Sequence, residues 1–208
     1  VKNNFLYEGK AKKILETEDP TVVKMVFKDD ATAFDGKKKG VIGDKGEVNA
    51  TISARIFQFL KHNGIENHFL EKTGPGEILA RKLEIIPVEV VIRNFAAGSI
   101  SRRLGLKEGL PFKPPVLEFF YKDDRLGDPM INEAHIQTMG WAKENEVARM
   151  KEIAYRVNDL LIDLFREVGI QLVDFKLEFG RAGEEILLGD EISPRYLSFL
   201  GPGDRGKT

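Results

Sequence analysis

No cysteine occurs among the 208 residues of this chain, which excludes a disulfide framework, a thiol nucleophile and a cysteine zinc site. No hydrophobic run approaches the roughly 18 residues that a membrane-spanning helix needs. The opening residues, VKNNFLYEGK, lack the apolar core of a secretory signal. These absences make a cytoplasmic location without a membrane partner the expectation. An excess of either charge is missing too: 32 basic residues stand against 33 acidic ones, a net charge of −1. That balance removes the global electrostatic ground for a nucleic-acid partner, while leaving room for a local basic pocket that takes a small phosphorylated ligand. His62, His68 and His135 form no HExxH or other close pair, so they read as structural or surface residues. The 20 glycines and nine prolines nowhere gather into a long linker, and no repeat of fixed period is present.

What is present is an ordinary globular composition, 42% apolar and 31% charged, long enough for one large domain or two small lobes. Residues 5–8, 13–16 and 22–27 read as short strands, and residues 29–45 as a long polar loop. Helical spacing of Val48, Ile52, Ile56, Phe59 and Leu60 predicts a helix over 47–62, stopped by Gly64. Strands are expected at 77–86 and 88–94, separated by Pro87, and at 116–122. The proline cluster Pro111, Pro114 and Pro115 suggests a lobe boundary, giving lobes 1–112 and 113–208. A longer apolar stripe predicts a helix over 143–167 ended by Gly169, followed by strands at 170–179 and 185–190. Elements in unequal blocks, rather than strict βαβ alternation, favour an α+β fold with largely antiparallel sheets.

Three stretches carry chemistry. In VDFKLEFG, residues 173–180, alternation puts Val173, Phe175, Leu177 and Phe179 on one face and Asp174, Lys176 and Glu178 on the other. The next strand delivers Asp190 and Glu191, and a hairpin would bring Glu178 toward Asp190, a carboxylate pair suited to Mg²⁺ together with substrate phosphates. The plainer reading is a solvent face on which Lys176 neutralises Asp174 and Glu178. Gly9-Lys10-Ala11-Lys12 lies between two strands, where glycine permits close approach to a phosphate and two lysines add charge. The tetrapeptide lacks the GxxxxGK[ST] spacing of a Walker loop, and taken alone a solvated turn is the plainer reading. In IIPVEVVIRNFAAGS, residues 85–99, Arg93 and the helix start at Ser99 suit an anion, or else form an intrastrand ion pair with Glu89 and an ordinary N-cap. Together the three point to nucleotide-dependent group transfer or ligation.

At these residues the chain resembles the phosphoribosylaminoimidazole-succinocarboxamide synthase (SAICAR synthetase) family. IIPVEVVIRNFAAGS and VDFKLEFG stand complete, and YEGKAKKI at 7–14, DPMINE at 128–133 and LGDEISP at 188–194 also match. The resemblance implies a two-lobed α+β fold whose first lobe is related to the ATP-binding domains of kinases and ATP-grasp enzymes. It implies an ATP-dependent carbon–nitrogen ligase of purine biosynthesis. The reaction joins L-aspartate to 5-amino-1-(5-phosphoribosyl)imidazole-4-carboxylate (CAIR) through an acyl phosphate, with ATP and Mg²⁺ as cofactors; homo-oligomerisation is left open. By the same resemblance Lys10, Ala11, Lys12, Arg81, Leu83, Ile85 and Lys122 take ATP, the three at 81, 83 and 85 from one strand face. Arg93, Ser99, Asp174, Lys176 and Asp35 take the imidazole nucleotide, Asp174 and Lys176 act in catalysis, and Glu178 and Asp190 hold the metal.

After Pro194 the chain reads RYLSFLGPGDRGKT, where the family continues with an acidic loop carrying an arginine, an aromatic–Asp pair and a helix. The matching arginine is absent or displaced to Arg195, so weakened binding of the substrate phosphate is expected. Two competing readings are a kinase, disfavoured by the lack of HRD and DFG motifs, and a catalytically impaired nucleotide-binding homologue.

Overall fold

In a computed structural model describing residues 5–33, 38–194 and 196–200, the chain opens with β1 (Phe5–Glu8), β2 (Lys12–Glu16) and β3 (Val22–Phe27). A short pair follows, β4 (Asp30–Ala33) and β5 (Lys38–Val41), then α1 (Lys45–His62), β6 (Phe69–Gly74) and β7 (Glu77–Arg81). Period-two alternation buries Val23, Met25 and Phe27 and makes β3 the centre of an antiparallel sheet ordered β1-β2-β3-β7-β6. Helix α1 packs on β3, β6 and β7 through Ala50, Ser53, Ala54, Phe57 and Leu60. Of the expected stripe Ile56 and Leu60 are buried and Ile52 and Phe59 partly so, while Val48 is exposed. Gly64 ends the helix as expected: Ile65 N–H donates to the Leu60 carbonyl and Gly64 N–H to that of Lys61, with Gly64 at φ 77°.

The second sheet begins with β8 (Glu84–Phe95) and continues through α2 (Ser99–Leu104), β9 (Pro111–Tyr121), β10 (Met130–Ile131) and α3 (Glu133–Thr138). After α4 (Glu144–Glu167) come β11 (Gln171–Ala182), β12 (Glu185–Gly189) and β13 (Leu197–Leu200). The strand order is β10-β9-β8-β11-β12, and β13 also pairs with β11. β13 takes Gln171–Phe175 and β12 takes Glu178–Ala182, dividing the length of β11 between them. Helix α4 packs on β11 and β12 with Val147, Met150, Ile153, Ala154, Val157 and Leu161 buried, as its periodicity predicts. Antiparallel pairing in an α+β arrangement agrees with the expected fold class.

Three expectations are corrected. The polar stretch 29–45 is not a plain loop, because β4 and β5 pair within it. The break expected at Pro87 lies instead at Lys82-Leu83, and β8 runs through the proline. Pro87 falls just before the first β9 pair, Val88 with Tyr121, so its missing N–H is not needed by that ladder. The described residues form two compact units, one ending at Glu84 but including Glu191–Ser193, the other holding Ile85–Asp190 and the residues from Pro194 on. This division differs from that at residue 112. The prolines stand in β9, whose 111–118 stretch has β8 as its described neighbour, and edge positions tolerate proline.

The second unit is tied at the start of α4. Glu146 accepts from Lys143 N–H at 2.7 Å and from Arg181 Nε at 2.6 Å, and Arg181 also donates to the Trp141 carbonyl at 3.0 Å. The Arg181 guanidinium, with help from the Lys143 amide and charge, holds the Glu146 carboxyl down to about 2, against the pull of partial burial. A depressed carboxylate stabilises the fold above its unfolded value near 4.5 and loses that contribution as pH falls toward about 2. Glu146→Gln is expected to remove about 1–3 kcal/mol of stability at pH 7 and to flatten the loss of stability between those two pH values, as measured by urea unfolding across pH.

Candidate functional site

One face of the second sheet is apolar and packed; the other gathers its charge. Glu89 and Arg93 project from β8, Glu118 from β9, and Asp174, Lys176 and Glu178 from β11, all onto the same side. Arg93 is buried, and its guanidinium is held at three points. Nε donates to Glu118 Oε2 at 2.6 Å, one terminal nitrogen to Asp174 Oδ2 at 3.0 Å, and the other to Ser99 Oγ at 3.1 Å. Glu118 also accepts from Arg103 of α2. The expected intrastrand pair between Arg93 and Glu89 does not form; the partners of Arg93 lie across strands. Ser99 is not a cap either. Gly98, at φ 59°, occupies the N-cap, and Ser99 is the first residue of a six-residue helix, its hydroxyl turned to Arg93.

Lys176 is the second hub. Its ammonium donates to Glu89 and to Glu178, the latter at 3.1 Å, and lies 4.3 Å from the Tyr196 ring centroid. Glu178 is also paired with Lys122. Burial opposes charge on Lys176, but Glu178, Tyr196 and Glu89 outweigh it and push the ammonium above the ordinary lysine range. Burial raises the Glu89 carboxyl, assisted by Glu178 and Asp128 and opposed by Lys176. The charged face is therefore not a solvated one, and Lys176 neutralises Glu89 and Glu178 while Asp174 goes to Arg93. Glu178 stands opposite Gly189 in the β11–β12 ladder, with Asp190 the next residue, at φ 57°. The hairpin argument thus places both carboxylates at one end of the ladder. Hard carboxylate oxygens at that end suit Mg²⁺ completed by phosphate oxygens. No cluster of three or more His, Cys, Asp or Glu side chains able to hold a metal occurs among the described residues.

In the first unit the glycine turn is closed internally. Gly9 N–H donates to the Lys12 carbonyl at 2.9 Å, and the Ala11 carbonyl accepts from Lys28 N–H at 2.8 Å. Lys12 is buried against Glu191 at 3.0 Å, and Ser193 Oγ donates to the same carboxylate at 2.7 Å. Lys10 is exposed. The strand break removes the argument that Arg81, Leu83 and Ile85 share one strand face, since Arg81 ends β7, Leu83 lies outside a strand and Ile85 belongs to β8. Asp35 and Arg195 lie outside the described residues. So do residues 201–208, GPGDRGKT, which do match the GxxxxGK[ST] pattern.

Glu118, Arg103 and Tyr196 were not singled out from sequence, and Glu191 was named there only as a carboxylate beside Asp190. A signal did exist for Glu118: it is the single charge in the run Val116-Leu117-Glu118-Phe119-Phe120, and a buried carboxylate requires a cation.

A family model described as SAICAR synthetase matches residues 5–199. The phosphoribosylaminoimidazole-succinocarboxamide synthase of Coprothermobacter proteolyticus is 54% identical over 199 residues, covering 95% of this chain and 84% of that protein. That of Desulfitobacterium hafniense is 52% identical over 198 residues, covering 95% and 83%. A crystal structure of the enzyme of that name from Ehrlichia chaffeensis aligns with a TM-score of 0.91 at 44% identity, over 94% of this chain and 84% of the other. A SAICAR synthetase solved in complex with ADP gives 0.91 at 44%, over 99% and 86%.

Removing the Lys176 ammonium leaves Glu89 and Glu178 without their shared counter-charge. Lys176→Met is therefore expected to cost about 3–5 kcal/mol in urea unfolding at pH 7, the range for breaking a buried pair. An ammonium enclosed in this way carries stability whatever its part in catalysis. Turnover normalised to folded protein should still fall; a normal rate in the folded fraction would confine Lys176 to a structural part.

Proposed function

The chain belongs to the SAICAR synthetase family, and from that premise we propose the chemistry its residues perform. It is an ATP-dependent carbon–nitrogen ligase of purine biosynthesis, joining L-aspartate to the CAIR carboxylate to give SAICAR, ADP and phosphate. The observation that carries the residue-level reading is the meeting of the two longest family stretches, which put Arg93, Ser99 and Asp174 in one hydrogen-bonded group.

A carboxylate is a poor electrophile for an amine because oxide is a poor leaving group. In the proposed route a carboxylate oxygen of the imidazole nucleotide attacks the γ-phosphorus of ATP, and the bond to the ADP oxygen breaks. The aspartate amine then attacks the acyl carbon of the mixed anhydride, loses a proton and expels phosphate. Such transfers ask for positioning and charge neutralisation more than for covalent help. Lys10, Ala11, Lys12, Arg81, Leu83, Ile85 and Lys122 are assigned to ATP, and Asp35 to the imidazole nucleotide. Arg93 and Ser99 bind that nucleotide. Asp174 orients Arg93 and the substrate, and Lys176 faces the carboxylate and the phosphoryl charge that develops on it. Glu178 and Asp190 would hold Mg²⁺, which supplies charge neutralisation for the phosphate oxygens. A cytoplasmic location and small-molecule partners complete the proposal; no helix among the described residues is long and apolar enough to cross a membrane.

The direct test is a coupled assay for ADP release. The proposal expects release that requires both aspartate and the imidazole carboxylate. Release with another acceptor would mark a kinase, and ATP binding without release an impaired homologue. For the metal assignment, Glu178→Gln and Asp190→Asn are expected to weaken use of Mg²⁺-ATP, raising the Mg²⁺ concentration for half-maximal rate about tenfold or more. Parent-like rates at limiting Mg²⁺ would remove the residue concerned from the metal site.

A further inference from the structure

Arg93 carries one positive charge and already faces two carboxylates, Glu118 and Asp174. A phosphate dianion placed at Arg93 alone would meet a surrounding of net negative charge. Lys176, on the neighbouring position of β11, does not correct this, because its ammonium is taken by Glu89 and Glu178. A second cation at this point is therefore an electrostatic requirement of any doubly charged ligand.

Arg103 removes that deficit, since two guanidinium groups then stand against Glu118 and Asp174. An arginine in the last turn of a short helix ordinarily points into solvent or back to the helix carbonyls. This one reaches across to β9, where it donates to Oε1 of Glu118 while Oε2 receives Nε of Arg93. Glu118 is buried, and its two oxygens thus fix two guanidinium groups, one enclosed and one a third exposed. Because a guanidinium is a planar fork, holding one edge by a carboxylate sets the direction of the remaining N–H groups.

We propose that Arg103 is the second cation for the phosphate of the imidazole nucleotide, and that Glu118 is a positioning residue holding Arg93 and Arg103 as a pair. The assignment rests on the reading that Arg93 binds that nucleotide.

Calorimetric titration of the full chain with the imidazole nucleotide, and with the same nucleoside lacking its 5′-phosphate, tests it. Arg103→Ala is expected to weaken nucleotide binding about tenfold or more, as loss of one or two charge-assisted hydrogen bonds does. In the folded protein its nucleoside affinity and ATP affinity should stay at parent values, and Arg103→Lys should restore part of the loss. Glu118→Gln turns an N–H toward one of the two guanidinium groups, so it is expected to weaken the nucleotide while sparing the folded protein's affinity for ATP. Parent-like nucleotide binding by Arg103→Ala overturns the assignment, as does an equal loss for nucleotide and nucleoside. Nucleotide binding by Glu118→Gln as tight as the parent's, or tighter, overturns the positioning role. Arg93→Ala is the control for the underlying reading: if it binds the nucleotide like the parent, the substrate is not at this cluster and both assignments fall together.

Discussion

The second sheet depends on one constraint: a strand with a dry face and a charged face, set inside a sheet, must find a counter-charge for every group on the charged side. β11 has β8 on one flank and β12 and β13 along its length, so Asp174, Lys176 and Glu178 are not free to fan out into water. Their partners come from the adjoining strands. Arg93 and Glu89 of β8 answer Asp174 and Lys176, Lys122 at the end of β9 answers Glu178, and Glu118 of β9 answers Arg93 in turn. Leaving any one of these groups alone costs several kcal/mol, so the set is strongly coupled.

This coupling also explains how the sheet is suited to phosphoryl chemistry. Charges held by neighbours on a rigid sheet need little reorganisation when a charged ligand arrives. Under the proposed assignment of Glu178 to Mg²⁺, the lysines that neutralise it would exchange partners when phosphate and the cation bind, with no change of fold required. In the first unit the same economy appears on a smaller scale: Lys12 is held by Glu191, whose carboxylate is fixed in turn by Ser193.

Much of the architecture was legible along the chain because it rests on local rules. Composition marked β3 as a strand, alternation marked the two faces of β11, and the apolar stripe of α4 together with Gly169 marked that helix and its end. Where local rules compete with context, the reading slipped. Pro87 reads as a break, yet the ladder to β9 starts only after it, and Val48 reads as core, yet it is exposed while Ala50 and Ala54 are buried. β6 and β13 went unrecognised because their residues lack clear alternation; pairing with β7 and β11 makes them strands.

The sequence by itself determined which residues would be charged, which would share a strand face, and which family the motifs belong to, since all three follow from residue identity and period. It could not determine partners. Arg93 and Glu89 stand four apart on one strand, and Lys176 is flanked two away by Asp174 and Glu178, so local spacing favours pairs that only partly form. Tertiary structure chose Glu118 and Asp174 for Arg93, and Glu89 with Glu178 for Lys176. The reason is physical: side chains on adjacent strands lie about 5 Å apart, nearer than the roughly 7 Å between same-face residues on one strand, so strand order and register decide which opposite charges meet.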